Sequence, residues 1–286
     1  MTDAAGAGAA GPGDEADEAD LERRFGGLRR LYGDAGYARI RAARVAVVGL
    51  GGVGSWTVEA LARSGVAALT LIDLDHVAES NINRQVQATT PTLGQSKAQA
   101  LAERIALIHP GCRVTAVEDF VEPGNWPALL PAPVDVLVDA CDQVRAKAAL
   151  AAWAIAGRRP LVCVGAAGGK RQAQQVAVAD LAETTHDPLL ASLRQRLRQA
   201  GTAPRSGPIG VRCVFSRESV QRPTQAGCEV DGIGTVGAPG AALACAGYGS
   251  SVTVTATFGL VAAGEVLARL VAAPAAGRSG PADSWL

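Results

Sequence analysis

The chain has 286 residues, of which 48% are hydrophobic and 19% are charged. This length and composition predict a globular protein with one large domain or two modest ones, rather than a disordered chain. Because 27 basic residues balance 27 acidic ones, net charge neither indicates nor excludes an anionic partner, and any nucleic-acid contact would need a local basic surface.

The ends of the chain differ in composition from its middle. Residues 1–20 begin with Ala, Gly and acidic residues and lack the basic-then-apolar order of a signal peptide, so we expect a disordered leader. The Pro/Gly-punctuated residues 274–286 are expected to form a disordered tail. A single domain is expected over residues 21–273.

In chain order, apolar runs of strand length alternate with helical patterns from residue 44 onward. Helices are predicted at 55–65, 96–108 and 144–159, between strands at 44–50, 68–75, 112–120, 134–142 and 160–168. Such alternation is typical of a parallel sheet with crossover helices. We therefore expect an α/β fold with a Rossmann-like, doubly wound, mostly parallel sheet.

The pattern changes after Gly169. Residues 172–182 alternate like an exposed antiparallel strand, 187–200 form a basic amphipathic helix, and 210–216 form another short strand. Antiparallel strands are therefore expected in the C-terminal half. A long Gly/Pro-rich segment follows, 217–250, of the kind that is usually functional or mobile.

One apolar segment, 251–273, invites a membrane assignment. Glu265 and Arg269 interrupt it, and its uninterrupted part is shorter than the roughly 18 to 20 residues that cross a bilayer. We expect a buried or interface helix and no membrane insertion.

Four glycines, Gly49, Gly51, Gly52 and Gly54, stand between the first predicted strand and helix. Such glycines let the backbone turn sharply beneath a phosphate at a helix N-terminus, although a turn required for packing alone is the alternative. Asp73, near the end of the second predicted strand, is placed to accept hydrogen bonds from a ribose. This combination indicates a nucleotide site.

The residues after Asp73 distinguish ATP from a nicotinamide cofactor. Arg84 and Lys97 can neutralise a triphosphate and stabilise charge at a phosphorus under attack. Asp142 follows a predicted buried strand, where a carboxylate either caps a helix or holds Mg²⁺ with phosphate oxygens. Because parallel strands end at one edge of a sheet, we expect Asp73 and Asp142 to face one crevice.

The motifs "GLGGVGS", "LIDLD", "SNINRQ", "LGQSK" and "DACD" occur in order between residues 44 and 142. This combination resembles the ATP-dependent adenylating enzymes related to ubiquitin activators, the superfamily of the ThiF, MoeB and HesA proteins. Further stretches, including "GAAGGK", "VRCVFS" and "TVTATFGLVAA", are similar to the branch that acts on tRNA, and extend the resemblance over roughly residues 21–273.

The resemblance implies an ATP-binding half at 41–169 and a substrate and dimer half at 170–273. It assigns catalytic roles to Arg84, Lys97 and Asp142, with Asp142 as the Mg²⁺ ligand. It implies ATP contacts from Gly49, Gly51, Gly52, Gly54, Asp73, Asp75, Asn81, Asn83, Arg84, Gln85 and Lys97. An arginine from the partner subunit's N-terminal segment completes the ATP site in this family; Arg30 is the candidate here, with Arg24 and Arg29 close by.

The reaction implied is the ATP-dependent dehydration of threonylcarbamoyladenosine next to a tRNA anticodon. Its partners would be tRNA, a second copy of the chain in a homodimer and possible sulfur-transfer or cysteine desulfurase proteins. Three alternatives remain open: an adenylyltransferase acting on a ubiquitin-like sulfur carrier, an NAD-dependent oxidoreductase, and a tRNA-binding scaffold with a relic pocket. The cationic pair Arg84 and Lys97 counts against the oxidoreductase.

The six cysteines lie far apart and include no Cys-x-x-Cys pair: Cys112, Cys141, Cys163, Cys213, Cys228 and Cys245. This spacing argues against the zinc-holding sulfur-carrier branch, and we expect incidental rather than catalytic thiols in a reducing cytoplasm.

Basic residues are enriched in the second half of the chain, and nine of them are candidates for tRNA phosphate contacts: Lys170, Arg171, Arg194, Arg196, Arg198, Arg205, Arg212, Arg217 and Arg222. The helical arginines among them have a second interpretation, the solvated face of an amphipathic helix.

Overall fold

The computed structural model of the protein describes residues 20–221 and 248–272. The expectations for residues 1–19, for the C-terminal tail and for most of the Gly/Pro-rich segment, with Arg222, Cys228 and Cys245, lie outside the described residues. Residue 20 already belongs to a short helical segment at 20–25.

Seven strands form one sheet: β1 Arg44–Val48, β2 Ala68–Ile72, β3 Arg113–Val117, β4 Val136–Asp139, β5 Leu161–Val164, β6 Val176–Asp180 and β7 Arg212–Ser216. Their order across the sheet is β3-β2-β1-β4-β5-β7-β6. Neighbouring strands are parallel except β6, which pairs antiparallel with β7. The expected Rossmann-like sheet is confirmed. Since β7 runs parallel to β5, the antiparallel addition is the single edge strand β6.

Six helices of at least ten residues complete the described fold: α1 Gly27–Ala42, α2 Gly54–Arg63, α3 Lys97–Ile108, α4 Val144–Ala156, α5 Pro188–Gln199 and α6 Val252–Ala272. Buried strand residues belong to two apolar clusters, one for each face of the sheet. Helices α1, α2, α3 and α6 contribute to the first cluster, and α4 and α5 to the second. This arrangement of helices on both faces is the doubly wound architecture.

The apolar helix α6 is long and hydrophobic enough to cross a membrane by length and composition alone. Half of its most apolar stretch is buried, and it packs against α1, α2 and the sheet. Its buried side chains, among them Val254, Phe258 and Val266, belong to the first apolar cluster. The expectation of a buried helix therefore agrees with the packing.

Candidate active site

A cavity of about 350 Å³ opens at the carboxyl ends of the parallel strands. Its walls are the glycine turn after β1, the end of β2, the loop after β4 and residues 165–168 after β5. Ligands of open parallel sheets bind at this edge, where the strand order reverses. Strands β1 and β4 are neighbours on either side of that reversal.

Three glycines of the turn, Gly49, Gly51 and Gly54, differ in how far the backbone requires a glycine. Gly49 has a φ of +85°, and a Cβ there would lie 2.7 Å from the backbone nitrogen of Cys141. A Cβ on Gly54 would overlap the carbonyl oxygen of Gly49. At Gly51 it would meet nothing within 4 Å, because that residue faces the open cavity. Gly49 and Gly54 are therefore required by the turn, and Gly51 leaves space for a ligand beside the N-terminus of α2.

Asp73 lies at the cavity wall directly after β2. Its two carboxylate oxygens accept backbone hydrogen bonds, one from the nitrogen of Leu50 at 2.6 Å and one from that of Asp75 at 2.8 Å. Burial raises the pKa of the Asp73 carboxyl, while the Lys97 ammonium and these two amides act in the opposite direction. Each oxygen retains a lone pair, so the fixed carboxyl can also accept hydrogen bonds from a hydroxyl group.

The loop after β2 brings Asn81, Arg84 and Gln85 to the cavity. Asn81 Oδ1 accepts from the backbone nitrogen of Ala78 at 3.1 Å, which fixes the start of a short 3₁₀ turn. The carbonyl oxygen of Arg84 accepts from Trp56 Nε1 at 3.0 Å, while its guanidinium donates to Ser80 O and to Asn83 Oδ1. Trp56 of α2 thus anchors the loop that carries Arg84.

Lys97 is the first residue of α3, and its side chain is buried at the cavity wall. Its Nζ lies 2.7 Å from Asp75 Oδ2, and its backbone nitrogen donates to the carbonyl oxygen of Asp75. Since an ammonium has three donors, the pair with Asp75 leaves two of them for a ligand.

The loop after β4 forms the floor of the cavity. Asp142 lines it, half-buried, and has no hydrogen-bond or ion-pair partner among the described residues. Asp139, three residues earlier, is fully buried and pairs with Lys147 at 3.0 Å. Burial lowers the pKa of Lys147, but the charge and hydrogen bond of Asp139, together with the nearby Cys163 and Cys141, hold that pKa above its ordinary value. Lys147 is therefore held in its charged form beside Asp139.

Lys147 also donates to the carbonyl oxygens of Asp139 at 3.3 Å and Val164 at 2.7 Å. These two carbonyls close strands β4 and β5, directly before residues that line the cavity. Lys147 is not among the residues predicted from the sequence. A lysine within a helix ordinarily lies in solvent, and only Asp139, eight residues earlier in the sequence, could have indicated a buried partner.

Three of the described cysteines have thiols with raised pKa values. Burial raises the pKa of Cys112 to about 11 and that of Cys141 well above its ordinary value. For Cys163, the hydrogen bond with Cys213 and burial act in the same direction. A protonated thiol is a poor nucleophile, so these three thiols are poorly suited to nucleophilic attack.

Ten of the residues expected at the ATP site line the cavity: Gly49, Gly51, Gly52, Asp73, Asp75, Asn81, Arg84, Gln85, Lys97 and Asp142. Gly54 does not line the cavity, but the turn requires a glycine at this position. Asn83 does not line the cavity itself, but its Nδ2 donates to the carbonyl oxygen of Ser250, which does. Arg30 is exposed on α1 and does not line this cavity. Asp119 and Phe120, which follow β3, line it without having been predicted.

A metal held entirely by side chains does not fit the described part of the chain, which contains no group of three or more His, Cys, Asp or Glu residues. A single free carboxylate, Asp142, does fit Mg²⁺, which binds through one or two carboxylates together with phosphate oxygens and water.

Comparisons with known proteins agree with this architecture. Residues 24–282 match the model of the ThiF family. The tRNA threonylcarbamoyladenosine dehydratase of Escherichia coli (strain K12) is 44% identical over 87% of this chain and 94% of its own length. The enzyme of the same name from Haemophilus influenzae is 39% identical over 88% and 95%.

The crystal structure of E. coli tRNA N6-threonylcarbamoyladenosine dehydratase, TcdA, in complex with ATP superimposes with a TM-score of 0.77. It shares 43% sequence identity and covers 87% of this chain and 94% of that one. Family match, identity and fold agree across most of the sequence. The chain therefore belongs to the ThiF family.

Proposed function

We propose that the protein uses ATP to dehydrate N6-threonylcarbamoyladenosine in tRNA, next to the anticodon, by activating the threonyl carboxylate. The observation that carries the proposal is the convergence of Arg84, Lys97 and Asp142 on one cavity beside the glycine turn. The relatives that share this fold over most of their length are named for this dehydration, and one of them is solved with ATP.

ATP fits the cavity along its glycine turn. The open space at Gly51 and the N-terminus of α2 suit the phosphates, because free backbone amides and the helix dipole favour an anion there. Asp73 accepts the ribose hydroxyls with its remaining lone pairs. Arg84 and Lys97 bring two positive charges to the triphosphate from two separate elements of the chain.

Activation begins when a threonyl carboxylate oxygen attacks the α-phosphorus of ATP and pyrophosphate leaves. The product is a mixed carboxylic-phosphoric anhydride, which turns a poor electrophile into an acyl group with AMP as leaving group. Arg84 and Lys97 stabilise the charge that builds on the phosphate oxygens, a contribution of about 10² to 10³ in rate for each well-placed donor.

Asp142 is the residue that would hold Mg²⁺ in this site, since its carboxylate faces the cavity without a partner among the described residues. Bound there, the ion would neutralise phosphate charge and orient the triphosphate. Asp75 is less suited to this role because Lys97 already occupies one of its oxygens.

Ring closure completes the reaction. A nitrogen of the threonylcarbamoyl group attacks the activated carbonyl carbon, loses its proton, and AMP leaves, so that the tRNA nucleoside has lost one water. The nucleophile belongs to the substrate and is already tethered, which gives the step a high effective concentration without a protein nucleophile. The raised thiol pKa values at the floor agree with a route that uses none.

A homodimer belongs to the same proposal, with Arg30 of each subunit serving the partner's ATP site. Arg24 donates to Asp20 and to Ile108 O, and Arg29 pairs with Glu22 and Asp34. Arg30 is exposed and has no hydrogen-bond partner among the described residues, so its guanidinium is the one of the three available to a second subunit. A sulfur-transfer partner, a cytoplasmic location and the two halves at 41–169 and 170–273 remain part of the proposal.

The test is incubation with ATP, Mg²⁺ and threonylcarbamoylated tRNA, followed by mass analysis of the nucleosides. We expect loss of one water from the modified adenosine, with AMP and pyrophosphate formed in equal amounts and no requirement for NAD. Reaction without ATP, or an unchanged nucleoside mass, would contradict the proposal. Transfer of AMP to a sulfur-carrier protein without tRNA dehydration would favour the adenylyltransferase alternative.

A further inference from the structure

The sheet topology separates the basic residues of the second half into two groups. Strand β7 runs parallel to β5, so Arg217, directly after β7, lies at the edge of the sheet where the cavity opens. Arg212, the first residue of β7, lies at the opposite edge. The sequence pattern alone could not make this distinction, because it depends on the direction in which β7 is inserted.

Helix α5 carries further basic residues to the opposite edge of the sheet. Its N-terminal Leu189 lines the cavity, and twelve residues rising about 1.5 Å each take the helix roughly 18 Å away. Arg196 and Arg198 lie in its last turn, and Arg205 follows before β7 begins. These three arginines are therefore remote from the cavity mouth.

Several cations of the second half are occupied within the fold. The buried Lys170 donates from Nζ to the carbonyl oxygens of His186, Ser216 and Glu218 at 2.8 to 3.3 Å. Arg194 donates to the carbonyl oxygens of Leu181 and Thr184. Neither side chain is free to bind phosphate, so both drop out of the nine candidates.

Two arginines remain at the cavity edge within the described ranges. Arg171 and Arg217 are exposed, and neither side chain has a hydrogen-bond or ion-pair partner among the residues the structure describes. Arg171 follows the cavity-lining Gly168 by three residues, a span of at most about 10 Å.

The backbone beneath these two side chains is fixed. Glu218, itself buried, accepts on Oε2 from the backbone nitrogens of Arg171 at 2.9 Å and Gln172 at 2.8 Å. The nitrogen of Arg217 donates to the carbonyl oxygen of Gln175 at 3.0 Å. Glu218 thus joins the two segments, so that both guanidinium groups project from one ordered rim.

We propose that Arg171 and Arg217 bind tRNA backbone phosphates beside the modified nucleotide whose side chain enters the cavity. This inference rests on the proposed function and names the surface that serves it. A guanidinium binds phosphate bidentately, and such contacts position an RNA without reading its sequence. The residues proposed to contact ATP lie on the β1–β4 side of the cavity. The β5–β7 rim is therefore the side from which a large polyanion such as tRNA reaches the same cavity.

The test compares the double variant Arg171→Gln/Arg217→Gln with a matched control, Arg196→Gln/Arg205→Gln, which removes the same charge at the opposite edge. Binding of threonylcarbamoylated tRNA is measured by filter retention at several salt concentrations, and ATP binding without tRNA by calorimetry. We expect the rim variant to bind tRNA about 10-fold more weakly, with a slope of log affinity against log salt reduced by about 1.5, and to keep its affinity for ATP. The control should resemble the unmodified protein in both measurements.

Equal affinity and equal salt slope for the rim variant and the control would overturn the proposal, as would absence of tRNA binding by the unmodified protein. These outcomes are distinguishable from failure of the proposed function, because binding is measured without turnover. If the protein binds tRNA through this rim but removes no water from the nucleoside, the proposed tRNA-binding surface would stand and the proposed reaction would be wrong.

Discussion

Substitution of Lys147 by methionine tests the most enclosed ion pair of the protein's described part. Methionine approximates the length and volume of the lysine stem but removes the ammonium. Asp139, whose side chain is 0% exposed, would then lose its counter-charge. The carbonyl oxygen of Val164 would also lose the Nζ donor at 2.7 Å.

The expected loss follows from the burial. Removing one partner of a buried ion pair costs about 3 to 5 kcal/mol because it strands the other charge. Folded proteins are typically stable by about 5 to 15 kcal/mol. At about 2 to 4 °C for each kcal/mol in a chain of this size, we expect Tm to fall by roughly 6 to 20 °C.

Thermal unfolding followed by circular dichroism measures this change. The matched control is Arg212→Met, which removes a cation from an ion pair whose side chains are 43% and 23% exposed. A pair of that exposure is worth about 0 to 1 kcal/mol. If Lys147→Met and Arg212→Met lowered Tm by the same few degrees, the inferred stabilising role of the buried Lys147–Asp139 salt bridge would be wrong.

Four further outcomes are expected. Asp142→Asn should reduce dehydration turnover by at least about 100-fold with little change in Tm, because Asp142 has no partner among the described residues; an unchanged rate in a coupled pyrophosphate assay would remove it from the site. Lys97→Ala should raise the ATP KM and lower kcat, and full activity would refute its role at the triphosphate. Gly54→Ala should unfold or strongly destabilise the protein, because the added Cβ would overlap the carbonyl oxygen of Gly49. Gly51→Ala should leave Tm unchanged and weaken ATP binding, because its Cβ would enter open space. Equal Tm values for the two variants would contradict this interpretation of the turn. Burial and the charge of Arg41 lower the pKa of His109 to about 4. Between pH 4 and 6.5 the unfolded chain therefore binds more protons than the folded one, so the urea midpoint of unfolding should fall as pH decreases through that range. If a His109→Gln variant showed the same pH dependence, His109 would be excluded as the cause.

The sequence predicted those parts of the fold that local pattern determines. Five predicted segments each contain one of the strands β1 to β5. Strands β1, β2, β4 and β5 are almost wholly buried, because strands covered on both faces by helices require continuous apolar runs, whereas the edge strand β3 is largely exposed. Helix α5 was predicted within one residue at each end, and its Asp187 cap and Pro188 explain why: the Asp187 side chain accepts from the backbone nitrogen of Leu190.

Helix α1 was not predicted. Gly26 and Gly27 stand at its start, and Gly33 interrupts it with a φ of +70°. Glycines in a helical pattern lower its local propensity, so tertiary contacts decide the outcome. A Cβ on Gly36 would lie 3.2 Å from Val271 of α6, which shows how closely these two helices pack. The local sequence around α1 therefore does not indicate its contact with α6.

The residues of the candidate site also differ in how far the sequence could predict their roles. The glycine turn, Asp73 and Lys97 follow recognisable motifs and converge on one cavity. The availability of each cation was not predictable, because it depends on which carbonyls and carboxylates the fold brings near it. Lys170 and Arg171 are adjacent in sequence, yet one is buried against three carbonyl oxygens and the other is exposed.

Asp139 and Asp142 show how the fold assigns different roles to identical groups. Both belong to one short motif, three residues apart, and either could hold a metal by residue type alone. Lys147 neutralises Asp139 and ties it to the ends of β4 and β5, so that this carboxylate determines the path of the loop. Asp142 then stands at the cavity with its charge uncompensated within the described chain. A free carboxylate, two cations and a helix N-terminus line this one cavity, a combination that suits a ligand with negative phosphates and a bound cation and so supports the proposed magnesium-bound ATP.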